Sequence, residues 1–122
     1  MMEPYELAKL AVKALDDKKA RNIKLLKTEE QTILADYFVI CNGTSSTHIK
    51  ALTEATDEVL SRAGEPPLRR EGHRSGTWVL LDFAAVVVHI FTEEAREFYD
   101  LERLWNDAEE IDVESILAEQ SE

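Results

Sequence analysis

A glycine, four hydroxyls and a histidine stand together in "CNGTSSTHIK", Cys41–Lys50, directly after the apolar run "DYFVI". Backbone N–H groups at a helix N-terminus can hold an anion, so Gly43, Thr44, Ser45 and Ser46 have the composition of a phosphate loop. The spacing of a P-loop is absent, because no Gly-Lys-Ser/Thr follows. A nucleotidyl transferase would use a Gly-Ser-type turn here and would also need paired carboxylates on a nearby strand to hold Mg²⁺. The downstream carboxylates Glu54, Asp57 and Glu58 fall in a helical pattern, Asp82 closes a strand alone, and the chain contains no Asp-x-Asp. The competing reading is a well-capped turn whose hydroxyls serve the backbone.

Cys41 and His48 have the types of a nucleophile and its base, but no third group orients them. A cysteine at a strand end is more simply a small apolar residue. The histidines, at 48, 73 and 89, are scattered, and one cysteine gives no zinc-ligand spacing. No catalytic residue, metal or cofactor is therefore expected. The enzyme alternative is a nucleotide-binding or nucleotidyltransferase-type protein using Gly43–Ser46. Arg62, Arg69, Arg70, His73 and Arg74 form a basic cluster interrupted by Glu65 and Glu71. It reads as a solvated loop, with a weak contact to RNA phosphate as the sharper alternative.

A second kind of chemistry lies on the strands. With period-2 alternation, Trp78, Leu80 and Asp82 share one face, as do Val87, His89 and Phe91 on the next strand. Asp36, Phe38 and Ile40 form a similar row. Mixed aromatic and polar rows suit a sheet face covered by a partner. The plain alternative is that Trp78 packs under the last helix. Tyr99, Leu104 and Trp105 add an aromatic-rich segment with the same two readings. The expected partner surface is therefore Trp78, Asp82, His89 and Phe91, with Tyr99, Leu104 and Trp105. A homodimer would want the same strip.

The elements that must position these groups follow from periodicity. Pro4 opens a helix carrying Leu7, Ala8, Ala11, Val12 and Leu15, to about Lys18. "NIKLL" is a short strand, "TEEQTI" a polar connection, and "ADYFVICN" a strand covered on both faces. Ser45 or Ser46 caps a second helix, whose stripe of Ile49, Leu52, Ala55, Thr56, Val59 and Leu60 ends at Gly64. "LRREG" suggests a short strand, and "TWVLLDF" and "VVVHIF" an antiparallel hairpin. Thr92 caps a helix over 92–105. Helices around one mixed sheet is the natural α/β packing.

The bulk numbers agree. A chain of 122 residues suits one domain. Its single cysteine points to a reducing, intracellular home, and no run is long enough to span a membrane. The N-terminus resembles neither a signal nor a transit peptide. The net charge is −11, and residues 106–122 hold seven acidic groups and no basic ones. The first 105 residues hold the other 18 acidic groups against all 14 basic ones, a net −4. We therefore divide the chain into a domain, 1–105, and an acidic C-terminal tail, 106–122, with Ile111, Val113, Ile116 and Leu117 suggesting a weak terminal helix. Such a chain is repelled by nucleic-acid backbone, so little direct RNA contact is expected and a basic protein is the better partner.

The strings "ADYFVICNGTSSTHIKAL", "TWVLLDF", "VVVHIF" and "REFYDLERLW", in that order, resemble the ribosomal silencing factor (RsfS, iojap-like) family from about Leu7 to Trp105. The resemblance implies a compact α/β domain with a mixed sheet, related to the nucleotidyltransferase fold but without its catalytic carboxylates. It implies a non-enzymatic protein of the cytoplasm. Such a protein binds the large ribosomal subunit through ribosomal protein fourteen, blocks joining of the small subunit and represses translation when nutrients are short. The chain departs from the family at Asn42, commonly Thr, at Thr47, commonly Arg, and at Ala84-Ala85, commonly Gly-Asp. Alanine tolerates positive φ poorly, so a different hairpin turn is expected at the last of these.

Overall fold

The computed structural model describes residues 2–28, 35–72 and 76–120. The "TEEQTI" connection from 29 onward, His73 and Arg74 of the basic cluster, and the last two residues lie outside them. Along the chain run α1 (Pro4–Asp17), β1 (Arg21–Lys27), β2 (Tyr37–Gly43), α2 (Ser46–Arg62), β3 (Arg69–Glu71), β4 (Trp78–Asp82) and β5 (Val86–Thr92). Then come α3 (Glu93–Tyr99), α4 (Leu101–Leu104), β6 (Glu109–Ile111) and α5 (Val113–Gln120).

The strands form one mixed sheet in the order β3-β4-β5-β2-β1-β6. β2 and β5 run parallel, and the other neighbouring pairs run antiparallel. Every residue of β2 is buried, as a central strand covered on both faces requires. One face carries Leu25, Val39, Cys41, Leu81, Val88 and Ile90, packed against α1, α2 and α5. The other face carries Leu26, Phe38, Ile40 and Phe91 and is covered by the segment from Ala95 to Ala108.

Local chemistry sets the element ends. Pro4 occupies the first turn of α1, whose buried face is Leu7, Ala8, Ala11, Val12, Ala14 and Leu15. The helix closes with Ala20 N–H on the Leu15 carbonyl and Lys19 N–H on that of Asp16, a Schellman arrangement with Lys19 at φ 64°. Helix α2 ends the same way, with Gly64 at φ 88°.

Three features differ from the sequence reading. The helix expected over 92–105 breaks at Asp100, which takes a left-handed φ of 49°. The hairpin turn takes the positive φ that its alanines were expected to forbid. Ala84 adopts φ 71°, with its N–H donated to Asp82 Oδ1 at 2.8 Å and Phe83 N–H donated to the Val86 carbonyl at 2.9 Å. Finally, the region assigned to an acidic tail joins the domain. Strand β6 pairs with β1, with Ile111 opposite Leu25, and α5 places Ile116 in the core at 1% exposure. Charge hid this contribution: four apolar side chains among seven carboxylates suffice to dock a short strand and helix on one side.

Candidate partner surface

The loop after β2 is a helix cap in which each ring nitrogen of His48 is used. Ser45 Oγ accepts the His48 N–H at 3.1 Å. His48 Nδ1 accepts the Thr44 N–H at 2.9 Å. Nε2 therefore carries the proton and donates it to the Lys18 carbonyl at 2.8 Å. Gly43 is needed for close approach, because a Cβ there would lie 2.9 Å from Ile49 Cγ1. The hollow beside Gly43, about 470 Å³, is lined by Arg21, Asn42, Thr44 and Thr92 together with Glu93, Glu94 and Glu97. Three carboxylates outnumber the single arginine there and oppose a phosphate. They belong to the first turns of α3, not to the strands. Cys41 is fully buried, and burial pushes its thiol up to about 12, so it is no nucleophile at neutral pH.

The described members of the basic cluster are matched by carboxylates. Arg62 pairs with Glu58 at 2.9 Å, and Arg69 with Asp82 at 3.0 Å and Glu71 at 2.9 Å. Arg70 pairs with Asp57 at 2.8 Å and Glu54 at 3.2 Å. Their field is largely spent inside the protein.

The other sheet face brings aromatic groups together. Trp78 is half-buried. It stacks on Phe91 at 5.0 Å and 26° between planes, and Tyr99 lies 4.5 Å away on centroids. Its indole Nε1–H donates to His89 Nδ1 at 3.1 Å. Trp105 meets Phe38 edge-on at 5.3 Å. His89 is 4% exposed and Phe91 fully buried. Burial pushes the His89 imidazole down to about 4, so it is neutral at physiological pH. Asp82 is engaged by Arg69 Nε and by the Ala84 N–H.

The seven residues singled out from the sequence thus divide. His89 and Phe91 lie beneath the surface, because α3 and α4 cover this part of the sheet. Trp105 is half-buried against Phe38. Trp78 is reachable at the edge of that cover, Tyr99 is 47% exposed and Leu104 is 69% exposed. The most exposed aromatic among the described residues, Phe98 at 81%, sits edge-on to Tyr99 at 5.1 Å. Sequence reasoning passed over it, although "REFYDL" displays both rings.

An ionic clamp holds this cover down. Arg96 Nη1 donates to Asn42 Oδ1 and to the Asn22 carbonyl, both at 2.6 Å, and Nε donates to Glu102 Oε1 at 2.9 Å. Lys24 adds a contact to Glu102 at 3.1 Å. The Arg96 hydrogen bond is the main cause holding the Glu102 carboxyl below its ordinary value. The clamp joins α3, α4, β1 and β2. Beside Trp78 an apolar groove of about 200 Å³ runs between Leu80, Glu71 and Gly72. A Cβ on Gly72, at φ 82°, would come 2.0 Å from the Trp78 carbonyl oxygen, so only glycine fits there.

Residues 1–122 match the family described as "RsfS: Ribosomal silencing factor during starvation". The chain is 38% identical over 117 residues to a protein of Halalkalibacterium halodurans named Ribosomal silencing factor RsfS, covering 96% of this chain and 100% of that one. It is similar to a crystal structure of a protein from Chromobacterium violaceum, with a TM-score of 0.84 and 40% identity over 86% of this chain and 88% of that one. A Mus musculus protein named Mitochondrial assembly of ribosomal large subunit protein 1 is 32% identical over 99 residues, 79% of this chain and 43% of its own length.

Proposed function

The chain belongs to the ribosomal silencing factor family, and on that premise we propose that it binds the large ribosomal subunit through ribosomal protein fourteen and blocks joining of the small subunit. Translation is thereby repressed when nutrients are short, by occupation of a surface and without chemistry. The site of action is the cytoplasm.

The observation that carries this reading is the aromatic surface of Trp78, Tyr99 and Phe98, which combines exposed rings with a rigid base. Half-buried aromatics on a fixed support are the usual anchors of a protein interface. Charge supports a basic partner: the chain is at −11 and the described arginines of its basic cluster are paired internally. The same negative field opposes the approach of small-subunit RNA. A large-subunit role also agrees with the name of the mouse relative.

Co-sedimentation with isolated large and small subunits, followed by a subunit-joining assay, tests the reading. Binding to the large subunit alone, with fewer joined ribosomes, is expected. Binding to neither subunit would overturn it, and self-association with loss of the exposed aromatic face would assign that face to a homodimer.

A further inference from the structure

We infer that His89 is a positioning residue of the partner surface: its buried Nδ1 fixes the orientation of the Trp78 indole that the partner meets. The inference rests on the functional reading above.

The geometry leaves little choice of roles. An indole Nε1–H is a donor only, so at 3.1 Å His89 Nδ1 must be the acceptor and must lack a proton. The neutral ring then carries its proton on Nε2. That atom is buried and, among the described residues, has no hydrogen-bond partner. A buried donor without a partner is unfavourable, and a leucine at this position would remove the difficulty. The histidine is therefore hard to explain as packing alone.

Its other nitrogen explains it. Trp78 is on β4 opposite Phe91, and His89 is opposite Leu80 on the same face. His89 is held between Phe38 at 5.0 Å and Phe91 at 6.2 Å, so its acceptor is rigid. The indole plane is set by its contacts with Phe91 and Tyr99, and its rotation within that plane by the bond to His89. A ring fixed in both respects meets a partner without losing rotamer freedom on binding.

His89→Leu removes the acceptor, whereas His89→Asn places an amide oxygen near the Nδ1 position. Large-subunit affinity is measured for both, with circular dichroism to verify folding and the Trp78 indole N–H followed by NMR. The His89→Leu variant is expected to weaken binding about tenfold and to shift the indole N–H resonance, while the His89→Asn variant recovers most of both. A folded His89→Leu protein that binds like the parent would overturn the positioning role alone. Absence of binding by the parent chain would overturn the functional reading and the positioning role with it.

Discussion

His89 ties a surface property to a buried one, and pH separates them. Its folded value of about 4 lies below the ordinary 6.5, so the unfolded chain binds the proton more readily. The stability held by the neutral ring is fully present above pH 6.5 and is lost as pH falls toward 4, by roughly 3 kcal/mol in all. Urea unfolding at pH 7 and pH 4.5 is expected to show this loss in the parent and a smaller one in His89→Leu. Phe98 offers the opposite case. At 81% exposure, Phe98→Ala should change stability by less than about 0.5 kcal/mol yet weaken large-subunit binding; unchanged binding would remove Phe98 from the surface. Trp78→Ala is expected to weaken binding by about 1–3 kcal/mol, measured by titration on a variant shown to be folded. At this scale sequence reading singled out Trp78, Tyr99 and Leu104, which the fold leaves accessible, because aromatic and apolar groups stand out. It did not show that His89 and Phe91 are buried, because alternation identifies the face of a strand but not which part of that face a later helix covers.

Among the elements, the β4–β5 hairpin was legible from two β-branched runs separated by too few residues for a helix. The turn itself was not. Ala84 holds φ 71°, a conformation that costs an alanine about 1–2 kcal/mol, and Asp82 offsets part of this through its bond to the Ala84 N–H. That use of the Asp82 side chain carries no sequence signature. Ala84→Gly should raise stability by about 0.5–1 kcal/mol after glycine's extra unfolded-state entropy, seen as a higher Tm. A lower Tm would mean that the alanine turn is unstrained. The break at Asp100 was hidden for a related reason. "TEEAREFYDLERLW" is a good helical pattern, and its interruption is imposed by tertiary bonds, above all by Arg96 reaching Asn42 and Glu102.

For the molecule as a whole, charge misled where hydrophobic spacing was correct. The acid-rich stretch suggested a solvated tail, but Ile111, Val113, Ile116 and Leu117 dock it against β1 and α1. Ile116→Ala is expected to cost about 2–5 kcal/mol in urea denaturation, an effect that a detached tail would not show. The fold class was otherwise readable throughout, since strands rich in β-branched residues and helices with single apolar stripes admit few packings.

The sheet order has a consequence for the chain while it is being made. Strand β1 emerges early, but its outer neighbour β6 is the last strand to appear. Until Glu109–Ile111 have left the ribosome, the backbone of Leu25–Lys27 has no neighbour on that side. A bare strand edge is a template for another chain, and nascent copies on one messenger lie close together. The final strand thus acts as a seal, ending the interval in which sister chains can pair with one another.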